Sequence, residues 1–242
     1  MHALPILYIN TVSVVSLQEI LDRQPVWRGG SLSSAAPAVP SGFAALDREL
    51  PGGGWPAGAL TEILAAREGM GELQLVVPAL AMLSAREQRI AWLAPPHVPY
   101  APALAAAGVR LECLIVVKPR GRCDALWAAE QVLRAGACHA LLAWLPSARY
   151  VDLRRLAVAA AASPGFAVLF RPAEVARESS PAVLRLALES SDGRLAARIL
   201  KRRGLPLASP LRIAVKRPLH ALGGAAPSQP PVAGAVARAC PA

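Results

Sequence analysis

The apolar residues of the chain fall into five short, nearly solid runs, at 60–64, 90–94, 114–118, 140–145 and 167–171. Runs this short, with little polar alternation, predict strands buried on both faces, as in a parallel sheet covered above and below. Between them, apolar positions recur at three- and four-residue spacing over 72–84, 102–107, 122–134 and 151–162. That period predicts helices, and helices are the connections that parallel strands need. Farther on the period drops to two: 183–189 and 194–201 alternate around Ser190-Ser191-Asp192-Gly193, a β-hairpin in which Asp-Gly supplies the left-handed turn. The fold class read from this order is α/β, three layers about a central, mostly parallel sheet, with a C-terminal β-hairpin.

The pattern changes at both ends. Residues 1–40 carry one short amphipathic helix over 16–24, where Ser16 and Glu19 form a capping box, Leu17, Ile20 and Leu21 share a face, and Pro25 ends it. A Gly/Ser/Ala/Pro linker follows around 29–40. By geometry the helix is a docking arm, although packing of its apolar face on its own domain is the simpler reading. Residues 41–217 form the folded domain, and 218–242, rich in Pro, Gly and Ala, are expected to be a disordered tail.

At 242 residues and 54% hydrophobic content the chain has enough apolar material for one full core. Its longest apolar runs, 73–83 and 157–162, fall short of the ~20 residues of a membrane span. The apolar first sixteen residues hold no Lys or Arg, unlike a secretory signal, so the expected compartment is the cytoplasm. Cys113, Cys123, Cys138 and Cys240 make no C-x-x-C pair and read as reduced, mostly core thiols. With the histidines equally scattered, no metal site is expected. Trp127 and Trp144 fall on elements expected to be buried and read as core, whereas Glu112, Asp124 and Glu130 have the spacing of solvated helix faces or loops.

The net charge of +10 is concentrated: no acidic residue follows Asp192, while Arg194, Arg198, Lys201, Arg202, Arg203, Arg212, Lys216, Arg217 and Arg238 do. Such one-sided charge attracts phosphate backbones or acidic proteins, or is simply a solvated basic surface. Alternation would put Arg198 and Arg202 on one strand face, with Lys201 and Arg203 opposite. No aromatic residue follows Phe170, so this end offers phosphate attraction without a platform for base stacking. Non-specific DNA contact or an acidic partner suits it.

The richest stretch runs Ser41-Gly-Phe-Ala-Ala-Leu-Asp47, Leu50-Pro-Gly-Gly-Gly-Trp55, Pro56-Ala-Gly58, then strand 60–64 and Gly69-Met-Gly71 at the start of a helix. A strand feeding a glycine loop at a helix N-terminus is how backbone N–H groups hold phosphate. This order of motifs resembles the start of the RecA core. More closely, Leu50 to Glu62, the Gly71-Glu72-Leu73 step and Ala125-Leu-Trp-Ala-Ala-Glu-Gln131 resemble the ImuA family, RecA-like accessory proteins of bacterial mutasomes, over about 41–217. The resemblance implies a RecA-like three-layer sandwich. It also implies, as partners, an ImuB-type inactive Y-family polymerase homologue, RecA and a DnaE-type polymerase, in damage-induced translesion synthesis.

A working P-loop reads G-x-x-x-x-G-K-[ST], and with Gly71 as second glycine the required positions become Ala66, Glu72 and Leu73, leaving Gly69 and Gly71 as a plain turn. A carboxylate stands where a lysine would neutralise phosphate. At ~4 Å and an effective dielectric of about 20, that like-charge contact costs roughly 4 kcal/mol. Under the resemblance the magnesium-associated aspartate is also missing, because its strand ends Trp144-Leu145. The water-activating glutamate is missing too, since the strand at 90–94 runs into Pro95-Pro96. Without these groups phosphoryl transfer has no evident mechanism, so the expectation is a non-catalytic protein without cofactor or metal. Two alternatives stand beside the mutasome reading: a SulA-like cell-division inhibitor acting on FtsZ, and an active RecA-type ATPase.

Overall fold

The computed structural model describes residues 37–191, 194–203 and 210–213. The expected helix at 16–24, the tail at 218–242 and the Asp192-Gly193 turn lie outside the described residues. A two-residue strand β1 (Ala38–Val39), a one-turn helix α1 (Ala44–Asp47) and β2 (Trp55–Pro56) come first. Then follow β3 (Leu60–Ala65), α2 (Glu72–Ala85), β4 (Ile90–Leu93), α3 (Ala101–Ala106), β5 (Leu114–Val117), α4 (Arg122–Ala135), β6 (Ala140–Trp144), α5 (Tyr150–Ala161) and β7 (Phe166–Pro172). The last strands are β8 (Leu184–Ser191), β9 (Arg194–Lys201) and β10 (Leu211–Ile213). The fold is thus mixed α/β. Residues 38–39, read from sequence as linker, pair with β2 instead, and Gly54 lets them: a Cβ there would lie 2.2 Å from the Val39 carbonyl oxygen.

The main sheet has eight strands in the order β10-β9-β8-β3-β7-β6-β4-β5, parallel from β8 to β5 and antiparallel at β9 and β10. From β3 the chain steps outward to β4 and β5, then returns inward through β6 and β7. Right-handed crossovers made in opposite directions lie on opposite faces of a sheet. Accordingly α2 and α3 pack on one face, with Ile63, Ile90, Trp92, Leu142 and Val168 beneath them. Helices α4 and α5 pack on the other, over Leu60, Leu93, Leu141 and Leu169. Strand alternation assigns each residue to its face, and the second face is rich in alanine, with Ala91, Ala143 and Ala167 meeting Ala125, Ala129 and Ala159.

Two expectations about this second layer are overturned. Trp127 is 64% exposed, because α4 buries Ala125, Ala129 and Leu133, and a residue two positions on points the opposite way. Glu130, expected to be solvated, is buried between the helices, paired with Arg134 at 2.7 Å and Arg155 at 2.6 Å. Nearby, Asp152 accepts from the Arg149 amide at 2.9 Å and pairs with Arg122. Burial works against its charge, yet the Arg149 amide and the Arg122 and Arg149 guanidiniums hold the carboxyl below its ordinary range. Cys113 and Cys138 are free thiols, and burial, partly offset by Arg89, pushes the Cys138 thiol up. Cys123, half-buried in the first turn of α4, is in a disulfide, against the reading of four reduced cysteines.

A buried ion cluster locks the middle of the sheet. Glu62 on β3, itself fully buried, accepts from Arg171 of β7 at 3.1 Å and from Arg185 of β8 at 2.5 Å. Most of the spare guanidinium hydrogens go to backbone carbonyls, Arg171 to Ala148 at 2.7 Å, and Arg185 to Val175, Ala176 and Glu178 at 2.9–3.1 Å, while Arg171 Nε is buried without a partner. Two arginines sharing one carboxylate are tolerable in a dry interior only with such partners. The cluster therefore fixes both β8 and the short 3-10 turn Ala173–Arg177 relative to β3.

Candidate functional site

The glycine loop leaves β3 at the carboxyl end of the sheet and enters α2 at Gly71, whose φ of 103° is a conformation that side chains rarely adopt. Gly69, with a φ of 77°, lies in the same turn. Ala66 is exposed, Leu73 half-buried, and Glu72, at 9% exposure, is buried in the first turn of the helix. Its carboxylate folds back over the loop, where Oε1 accepts from the Gly69 amide at 2.9 Å. A backbone N–H of the kind that holds phosphate is therefore already taken by an internal anion. The other carboxylate oxygen, Oε2, is buried without a partner.

Beside this loop the strands carry aromatic rings near their carboxyl ends. Trp92 of β4, Trp144 of β6 and Phe170 of β7 form a continuous row, Trp92 to Trp144 at 5.7 Å and Trp144 to Phe170 at 4.6 Å between ring centres. Trp144 is half-buried and Trp92 buried, with its indole N–H unpaired. After β4 the chain turns at Ala94, which has a left-handed φ of 52°, and passes through the proline-rich stretch 95–99 to Tyr100. Between that stretch, α2 and the sheet lies a cavity of about 1050 Å³, with Val77, Pro78, Trp92, Tyr100, Leu104 and Trp144 among its walls. An exposed contact, His97 Nε2 to Glu68 Oε2 at 3.0 Å, spans the two loops beside it. The aromatic row and the proline stretch were visible in sequence only as missing acids; that they enclose a cavity was not.

Among the described residues, several of the basic side chains are tied to partners within the chain. Arg198 pairs with Glu189 at 3.0 Å, Lys201 donates to the Ser180 carbonyl at 2.8 Å, and Arg202 pairs with Glu49 at 3.0 Å. The expected alternation stops at Lys201, where β9 ends; Arg202, its side chain only 7% exposed, turns in toward the segment after α1. Arg203 and Arg212 are exposed, Arg212 on β10 opposite Ala196 of β9. The Arg194 side chain, Lys216 and Arg217 lie outside the described residues. Among the described residues no cluster of three or more His, Cys, Asp or Glu could hold a metal ion. No described helix is long and apolar enough to cross a membrane.

Fold and site together define a class: an α/β protein with a glycine loop at the carboxyl edge of a mostly parallel sheet, one loop amide taken by the chain's own carboxylate and aromatic rings alongside. Residues 58–168 match the family model described as cell division inhibitor SulA. The match runs from just before β3 into β7, under half of the chain, and takes in the glycine loop, the cavity walls other than Gly42 and Phe43, and both helices of the second layer. No curated protein matches the chain.

Proposed function

We propose that this chain is a non-catalytic, RecA-like protein that acts by binding partners in the response to DNA damage. The observation that carries the reading is Glu72: its carboxylate occupies the loop amide that would meet a phosphate, and no lysine or hydroxyl stands beside it. The RecA-like assignment is supported by helices on both faces of the sheet and by a glycine loop that follows the interior strand β3. Open α/β sheets place their ligand sites at that edge. Calorimetric titration with ATP and magnesium tests the non-catalytic reading: no uptake is expected up to millimolar nucleotide, and micromolar binding would overturn it.

Within that class the motif resemblance favours an accessory scaffold of the translesion mutasome, acting in the cytoplasm and binding an ImuB-type polymerase homologue, with RecA and a DnaE-type polymerase as further partners. The basic residues Arg203 and Arg212 suit non-specific DNA contact in that setting. A second reading, a SulA-like inhibitor of cell division acting on FtsZ, is favoured by the family model that matches residues 58–168. Deleting and overproducing the chain separates the two. Loss of damage-induced mutation on deletion supports the mutasome, and filamentous growth on overproduction with unchanged mutagenesis supports division arrest.

A further inference from the structure

We propose that the cavity beside the glycine loop is a docking site for a basic, apolar segment of a partner protein. The inference rests on the non-catalytic reading above and says what took the place of nucleotide. Charge is the first argument. The whole chain carries +10, with 26 Lys and Arg against 16 Asp and Glu, yet among the described residues those lining this cavity include Glu68 and Glu72 and no Lys or Arg. A negative pocket in a positive protein selects cations and rejects phosphates, so a nucleic acid is the wrong occupant.

The second argument is an unmet bonding requirement. Glu72 is nine-tenths buried and one of its oxygens has no partner, a costly state for a carboxylate unless a donor arrives. An arginine or lysine entering between Glu68 and Glu72 would supply that donor. Third, the walls suit the remainder of such a segment: Val77 and Leu104 offer apolar contact, and Trp92, Tyr100 and Trp144 offer ring faces on which a guanidinium stacks well. Two of the apolar lining residues lie open to solvent, Val98 at 74% and Tyr100 at 64% exposure. At about 1050 Å³ the cavity is as large as sites that hold whole drug-sized ligands, so it takes several side chains of one segment rather than a single residue. A groove that accepts apolar anchors from a folded segment, with charges at its edge, is a recurrent way of capturing a partner helix.

The test uses the full chain and a fluorescent amphipathic peptide of about four helical turns, Leu on one face and Arg on the other, against the same peptide with Glu in place of Arg. Fluorescence anisotropy should show saturable binding of the arginine peptide, weakened as salt rises from about 0.05 to 0.5 M, and none of the glutamate peptide. Val77→Arg, which places a cation in the wall, should weaken binding at least about tenfold, and Tyr100→Asp, on an exposed position that folding does not depend on, by about threefold to tenfold. Equal binding of both peptides, or full affinity in both variants, would refute the docking site. The same protein titrated with ATP and magnesium keeps the two ideas apart. Nucleotide uptake sinks the non-catalytic reading, whereas absence of both peptide and nucleotide binding leaves that reading standing and removes the docking site alone.

Discussion

Glu62 lies within β3 and Glu72 opens the helix that follows it, and both are buried carboxylates, but the protein treats them in opposite ways. Around Glu62 both carboxylate oxygens are met: two arginines from neighbouring strands reach it, and most of their other hydrogens end on carbonyls of the surrounding loops, Arg171 Nε alone of the two guanidiniums' nitrogens being buried without a partner. Around Glu72 closure is incomplete. One backbone amide meets one oxygen, the other oxygen has no partner, and a cavity lies alongside. A buried charge that is fully paired holds strands in place. One that is left short of donors, beside empty space, is poised for something outside the chain.

The comparison breaks most readily at Glu62. Glu62→Gln leaves Arg185 buried without a counter-charge and Arg171 with only the exposed Glu178 carboxylate at 3.7 Å, and the expected loss is about 3–5 kcal/mol, read from the midpoint of urea unfolding. A loss below about 1 kcal/mol would mean that the carbonyl partners alone carry the arginines. Asp152 gives an intermediate case, since it is buried at a helix N-terminus and paired at the protein's edge. Its folded-state pKa lies below its ordinary value of 3.8, so its stabilisation is complete above about pH 5 and fades as pH falls through the folded value. Asp152→Asn should therefore cost about 1–2 kcal/mol at neutral pH. The gap between variant and wild type should narrow in acid, and a gap that widened below pH 4 would contradict the assigned direction.

How much of this was readable from the residues follows the range of the interactions. Strands β3 to β7 and the helices between them are written in local periodicity, and each begins and ends within about two residues of its expected place. The loop substitutions at Ala66, Glu72 and Leu73 are equally local. The Glu62 cluster is not: Glu62, Arg171 and Arg185 are far apart along the chain, and only the sheet order, with β3 between β7 and β8, brings them together. Burial of Glu130 and exposure of Trp127 were missed for a related reason. Apolar spacing along α4 marks a face but does not say that α5 will cover Glu130 with Arg155, nor that alanines suffice to bury the helix. The cavity, too, depends on where the proline stretch after β4 comes to rest against α2, which no period along the chain encodes.

The smallest expected effect is the sharpest contrast. Glu72→Gln keeps an oxygen for the Gly69 amide while removing the charge that burial penalises, so the stability change should stay within about 1 kcal/mol of wild type in either direction. Set beside Glu62→Gln by the same unfolding measurement, the pair differs by several-fold if one carboxylate is structural and the other poised for a ligand. On the proposed reading neither the wild type nor the variant should take up ATP, because removing a negative charge does not supply the lysine and hydroxyl of a working P-loop. A cost at Glu72 equal to that at Glu62 would show that the loop needs its internal anion to fold, and the oxygen without a partner would then be a tolerated flaw of packing, not a vacancy for a partner.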